Sequence, residues 1–96
     1  MYEWNDDKND KNRTARGLDF ADAAQVFEGP TFTFEDTRFD YDERRLITFG
    51  LLEGRMVVVT HTPRGKKTRI ISMRKANDRE QKTYQERLKA ARQDDG

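Results

Sequence analysis

Residues 44–74 limit what this chain can fold into more than any other part. They hold three apolar, β-branched runs (45–52, 55–62 and 67–74) separated by two short links that each contain glycine. Val, Ile and Thr pack well on a pleated, half-buried surface, and glycine supplies the positive φ that hairpin turns need. The expectation is a three-stranded antiparallel meander at the centre of a sheet. Reading Glu53-Gly54 as a two-residue loop pairs Phe49 with Val58 and Ile47 with Thr60. Reading Pro63-Arg64-Gly65-Lys66 as a four-residue loop pairs Thr60 with Arg69 and Val58 with Ile71. Side chains alternate across a strand, so this register assigns two faces. Ile47, Phe49, Leu51, Met56, Val58, Ile71 and Met73 would share one that wants helices over it, with Thr60 and Arg69 at its rim. Leu46, Thr48, Gly50, Leu52, Val57, Val59, His61, Thr68, Ile70, Ser72 and Arg74 would share the other. That second face grows polar toward one end, which suits an open groove.

The flanking segments supply helices. Tyr2-Glu3-Trp4 is expected as an edge strand (1–4). Asn5 or Asp6 caps a first, nearly all-polar helix to about Arg16, with Gly17 in the C′ position. A second helix is expected from Phe20 to Phe27, where Phe20, Ala23, Ala24 and Phe27 form one stripe, ended by Gly29-Pro30. Thr31-Phe32-Thr33-Phe34 alternates like a strand and is followed by a polar loop in which Phe39 and Tyr41 are expected to pack over a sheet edge. Asn77 to Glu80 reads as a capping box opening a C-terminal helix (77–93) with Tyr84, Leu88 and Ala91 on a thin apolar face. Asp94-Asp95-Gly96 is expected to fray. The fold class is therefore α+β, one domain over residues 1–96: an antiparallel sheet, two N-terminal helices (5–28) on one face, the meander (44–74) and the C-terminal helix.

Composition narrows the chemistry. Charged residues make up 39% of the chain and hydrophobic ones only 33%, so one modest core is all it can bury. There is no cysteine, no apolar run long enough for a bilayer, and no signal-peptide pattern, so a cytoplasmic protein without membrane contact is expected. A single histidine, and glycines in neither a dinucleotide fingerprint nor a P-loop, leave no metal or nucleotide signature and no expected cofactor. Net charge is only +1, yet residues 1–43 carry −7 and residues 44–96 carry +8. Such halves can attract each other within the fold, or the basic half can face phosphate or an acidic partner.

The basic residues of the second half are the candidate site. Arg64 falls at a turn, Arg69 and Arg74 on the last strand, and Lys66, Lys67 and Lys75 flank it, with Tyr84 one helix later. Guanidinium groups grip phosphate in a fixed fork and stay charged. Equally, Lys and Arg guard edge strands, and Arg69 can pair with a helix carboxylate. His61 is a candidate general base by its ordinary pKa near 6.5, or a packed strand histidine. Tyr84 is a helix anchor with a hydroxyl to spare.

Two signatures resemble the BrnT-type toxins. The first is Tyr2-Glu3-Trp4, Lys8, Asn12, Gly17, Phe20, Ala23 and Val26-Phe27. The second is Arg64-Gly65, then Arg69-Ile70-Ile71-Ser72-x-Arg74-x-Ala76, then Glu80 and Tyr84. The resemblance spans nearly the whole chain and is weakest between Gly29 and Arg44. It implies a RelE-like fold and a metal-independent endoribonuclease toxin of a type II toxin–antitoxin system that stalls translation and growth. It also implies a ribbon-helix-helix antitoxin of the BrnA type in a two-plus-two assembly, which alone would contact operator DNA. On that reading Arg64, Arg69 and Arg74 bind and stabilise the phosphate, Tyr84 orients it or relays a proton, and His61 is a further catalytic candidate. Arg16, Lys66, Lys67 and Lys75 would bind RNA. The family usually has Lys-His just before the glycine that ends the first helix, and this chain has Ala15-Arg16. Arginine is too basic to exchange protons near neutral pH. Either activity is attenuated or His61 substitutes.

Overall fold

The computed structural model describes residues 1–94, with side chains through residue 90. The side chain of Ala91 in the helix stripe and residues 95 and 96 of the expected fray lie outside the described residues, whereas Asp94 is the last residue of the C-terminal helix and does not fray as expected. The elements are β1 (Tyr2–Trp4), α1 (Asp6–Arg16), a 3-10 turn (Phe20–Asp22), α2 (Ala23–Glu28), β2 (Phe32–Glu35), β3 (Leu46–Leu52), β4 (Arg55–Arg64), β5 (Lys67–Lys75) and α3 (Asp78–Asp94). One five-stranded sheet runs in the order β1-β5-β4-β3-β2, antiparallel except where β1 lies parallel to β5. The architecture is α+β. No described helix is long and apolar enough to cross a membrane.

The first hairpin pairs as its sequence requires. Glu53 and Gly54 both have positive φ (52° and 80°), the requirement of a type I′ turn, and Phe49 lies opposite Val58, with Ile47 opposite Thr60. The second hairpin does not follow the expected register. Its loop is two residues, Gly65-Lys66, with Gly65 at φ 61° and Arg64 opposite Lys67. Pro63 therefore sits inside β4, opposite Thr68. The Thr68 N–H instead donates outward to the Met1 carbonyl at 2.9 Å, so the proline's missing donor removes no rung from this ladder.

A bulge then shifts the pairing between Thr60 and His61: His61 faces Ile70, but Thr60 faces Ser72 and Val58 faces Arg74. Ile71 is the extra residue. Past a bulge every side chain exchanges faces relative to a regular ladder. Ile70 and Met73, three apart, consequently share one face, and Ser72 and Arg74 are turned to the other.

This reverses the expected roles of the two faces. The face of Leu52, Val57, Val59, Ile70 and Met73 is the closed one: Phe20, Ala23 and Val26 pack on it, with Tyr2, Trp4, Leu18 and Phe27 around them. Val26 takes the place in the buried stripe expected for Ala24 and Phe27, because the 3-10 turn rotates α2 relative to Phe20. Gly50 makes the close approach feasible. A Cβ there would lie 2.6 Å from Val26 Cγ1, a clash that only glycine avoids. The opposite face packs Phe49 and Val58 against Ala76 and Tyr84, with Phe32, Ile47, Met56 and Leu88 around them.

α1 lacks an apolar stripe and is attached by side-chain amides. Asn9 accepts from the Phe20 N–H (2.8 Å) and donates to Asp19 (3.0 Å), and Asn12 donates to the Leu18 carbonyl (2.9 Å). On β5, Asn12 Oδ1 accepts from the Met73 N–H (3.5 Å), while Arg16 donates to the Met73 carbonyl (3.4 Å). Both asparagines are buried and hydrogen-bonded, as buried polar groups must be. The ends of α1 are as expected, with Asn5 accepting from the Lys8 N–H and Gly17 in the left-handed region. Phe39 departs from expectation: it is 66% exposed, and its neighbour is Tyr41, not a sheet edge.

Candidate functional site

The bulge at Ile71 opens a groove on the face that α3 only partly covers. Its volume is about 370 Å3. Ile47, Phe49 and Val58 make an apolar floor, Phe34 one wall, and Thr60 and Ser72 contribute hydroxyls from a facing strand pair. Arg16, Arg38 and Arg74 bring three guanidiniums, and Glu80 the one carboxylate among the lining residues.

Arg74 is held firmly by the cap of α3. Glu80 Oε1 accepts from the Asn77 N–H (2.9 Å), the return bond of the capping box, and from Arg74 Nη1 (2.7 Å). Its Oε2 accepts from Arg74 Nη2 (2.6 Å), and Asn77 Oδ1 accepts from the Glu80 N–H (2.8 Å). A bidentate pair of this kind sets the plane of the guanidinium. The Arg74 bond holds the Glu80 carboxyl below its usual range, so Glu80 is a charged strut with no proton to give near neutrality. The capping box read from the sequence thus also orients a groove arginine.

Arg38 was absent from the sequence candidates, and its loop offered no periodic signal. Asp36, almost fully buried, accepts from Arg38 Nε (2.9 Å) and Nη2 (3.0 Å), from the Arg38 N–H (3.2 Å) and from the Tyr41 hydroxyl (3.0 Å). These donors hold its carboxyl well below the ordinary carboxylate range despite burial. The only trace in the sequence is the spacing of an acid two residues before an arginine, which many loops share.

Of the sequence candidates, only Arg74 and Arg16 line this groove. Arg64, Lys66 and Lys67 are exposed at the far tip of the β4–β5 hairpin, seven residues along β5 from Arg74, roughly 20 Å at the rise of a strand. Arg69 pairs with Glu3 of β1 at 3.4 Å. Lys75 lines a different concavity, with Gly17, Asp22 and Glu53. Tyr84 is 1% exposed and its hydroxyl donates to the Pro30 carbonyl, tying α3 to the start of β2.

His61 lies on the closed face. Its Nε2 is 2.7 Å from Thr48 Oγ1, which is 2.7 Å from Thr33 Oγ1, and the edge of Phe27 packs on the ring at a centroid distance of 5.0 Å. Burial lowers its pKa to about 4, so the imidazole is neutral at physiological pH. The expectation of an open groove beside His61 fails because α2 covers that face.

A second concavity, about 500 Å3, lies between α1 and the following turn, but Asp10, Asp19 and Asp22 line it with one arginine, Arg13, that already contacts Asp10 and Asp19. It repels anions where the first groove attracts them. Among the described residues no three His, Cys, Asp or Glu side chains gather as metal ligands.

Three guanidiniums beside an apolar, aromatic-lined floor make a surface for phosphate with an adjacent base. Comparison with known proteins agrees with that chemistry. No curated protein matches the chain, but the family described as "Ribonuclease toxin, BrnT, of type II toxin-antitoxin system" matches residues 4–80. That stretch runs from Trp4, the last residue of β1, to the Glu80 strut, and it holds every residue lining the groove. The chain belongs to the BrnT family of ribonuclease toxins of type II toxin–antitoxin systems.

Proposed function

We propose that the groove binds and cuts RNA. The observation that carries this reading is that Arg74, from the second signature, and Arg16, which stands beside the Gly17 of the first where the resemblance implies histidine, line one groove. In the proposed reaction the ribose 2′-oxygen attacks the adjacent phosphorus and the bond to the 5′-oxygen breaks. The 2′-hydroxyl loses a proton and the leaving 5′-oxygen gains one. The products are a 2′,3′-cyclic phosphate and a 5′-hydroxyl, with no water consumed. Arg74 and Arg16 would neutralise the non-bridging oxygens, which is why the reading is metal-free, and Thr60 and Ser72 would orient the ribose and phosphate. The exposed Arg64, Lys66 and Lys67 would hold flanking RNA by charge alone. Arg69 and Tyr84 would act by holding β1 and α3 in place, and Lys75, in a different concavity, would add only longer-range positive charge.

In its wider role, the protein would be a RelE-like cytoplasmic toxin that inhibits translation and growth. A BrnA-type ribbon-helix-helix antitoxin would neutralise it in a two-plus-two complex and supply the contacts to operator DNA.

A second reading has its own observation. Among the groove residues, none exchanges protons near neutral pH: Arg16 stands where the resemblance implies histidine, Glu80 is spent on Arg74, and His61 faces the other way. The chain would then be an attenuated enzyme, or a module that binds RNA or antitoxin. A positioned acid or base contributes about 10²–10⁴-fold to such a reaction. Incubating a defined RNA with the protein in EDTA, and mapping product ends, decides between the two. Ala15→Lys with Arg16→His is expected to raise the cleavage rate by about that factor, leaving 5′-hydroxyl ends. Equal, fast cleavage by the unaltered chain would remove the attenuated reading. Absence of products from both would remove the nuclease reading for free RNA.

A further inference from the structure

We propose that Arg38 and Arg74 are the two arms of one phosphate clamp, and that the buried Asp36, braced by Tyr41, is the positioning residue that sets the Arg38 arm. The inference rests on the reading of the groove as an RNA site and adds to it a binding residue and its support. Arg38 lies in the loop between β2 and β3, outside both sequence signatures.

Three observations support it. First, Arg38 has a mostly exposed side chain (71%) that is nonetheless fixed at its Nε and Nη2 by a carboxylate only 3% exposed. A free surface arginine loses conformational entropy when it grips a ligand, and one already bolted in place loses less. Second, Asp36 is itself over-determined: its own N–H donates to the Arg45 carbonyl (2.8 Å), and Tyr41 donates to the oxygen that also takes Arg38 Nη2. So many bonds to one buried acid, for the sake of an exposed arginine, are more than loop closure requires. Third, Arg38 and Arg74 line the same groove, each backed by its own carboxylate, and the positive charge of Arg38 is felt at Arg74. Two like charges fixed on either side of a groove repel until an anion lies between them. Each arm keeps donors in reserve: Arg38 Nη1 makes none of the bonds to Asp36, and Arg74 Nε none of those to Glu80. A phosphodiester presents two non-bridging oxygens, one for each arm.

The test is equilibrium binding of the full chain to a single-stranded, 2′-O-methylated oligoribonucleotide, which cannot be cut, across a salt series. Arg38→Ala is expected to weaken binding about tenfold or more and to flatten the salt slope by about 0.7, the increment for one phosphate contact on a single strand. Arg38→Lys should keep the slope while recovering only part of the affinity, because lysine has charge but no fork. Tyr41→Phe, which leaves the Arg38–Asp36 pair intact but loosens Asp36, should weaken binding severalfold with the slope unchanged, a pattern that a role in loop stability alone would not produce. Thermal unfolding of each variant separates misfolding from lost contact. If the unaltered chain binds and Arg74→Ala does not, while Arg38→Ala binds like the unaltered chain, the clamp is wrong and the RNA groove stands. If the unaltered chain fails to bind at low salt, the groove reading falls, and the clamp with it.

Discussion

The two faces of the sheet differ in what covers them and in what their polar residues do. On one, α2 and the 3-10 turn seal Val57, Val59, Ile70 and Met73 under Phe20 and Val26, and the lone histidine is neutral and hydrogen-bonded to Thr48. On the other, α3 covers Phe49 and Val58 with Tyr84 but reaches Arg74 only through Glu80, and charged side chains line the remainder. Burial, not residue type, separates structural from functional polarity here. The histidine that looks catalytic in the sequence is part of the core, and an arginine from an unpromising loop reaches the groove. Substitutions on the closed face should therefore change stability without changing RNA affinity, and those in the groove the reverse.

The sharpest test of that division is Phe20→Ala. Removing a fully buried ring from the closed face should cost about 3–5 kcal/mol, measured by denaturant unfolding. A loss under about 1 kcal/mol would mean that this face is not the sealed core. Next comes pH. The folded His61 pKa is depressed to about 4 from 6.5, so the unfolded chain binds the extra proton first. The stability from keeping this ring neutral is present above pH 6.5 and is lost as pH falls toward 4. The loss is on the order of 2 kcal/mol once partial screening by water is allowed for. The acid slope between those pH values should flatten in His61→Gln, and an identical slope in both proteins would place the imidazole in solvent.

Tyr84→Phe removes the donor to the Pro30 carbonyl. It should lower stability by about 1 kcal/mol and leave cleavage and RNA affinity unchanged, because Tyr84 is buried and is not among the residues lining the groove. A selective loss of cleavage with normal stability would restore Tyr84 as a catalytic candidate. The smallest effect is expected from Arg64→Ala at the hairpin tip: no change in stability beyond about 0.5 kcal/mol, and RNA binding weakened only at low salt. A large loss at physiological salt would extend the site along the whole hairpin.

Much of this architecture is legible locally. The positive-φ demand of Glu53-Gly54, the capping box at Asn77 and Glu80, and the Asn5 and Gly17 caps of α1 each depend on contacts within a few residues, and each appears as read. The polar helix was legible too, although not its means of attachment. Asn9 and Asn12 attach the helix through partners beyond it that lie six to sixty-one residues away. For the candidate site, the sequence offered Arg16, Arg64, Arg69, Arg74, Lys66, Lys67 and Lys75 alike, and only Arg16 and Arg74 reach the groove, because the others share their charge but not their position.

By itself, then, the sequence determined where the strands lie to within about two residues, the first hairpin's register, the caps of α1 and the capping box of α3, the α+β class and the family signatures, all set by short-range sterics and hydrogen bonding. Tertiary structure decided which face is closed, where the groove opens and which cations meet in it. The physical reason is one residue of slack. Whether Pro63 ends β4 or sits within it, and whether Ile71 is paired or bulged, changes little in local energy, yet it reverses the side-chain alternation of β5. Packing settles that choice, because only the bulged register buries Ile70 and Met73 together under Phe20 and turns Arg74 toward Glu80.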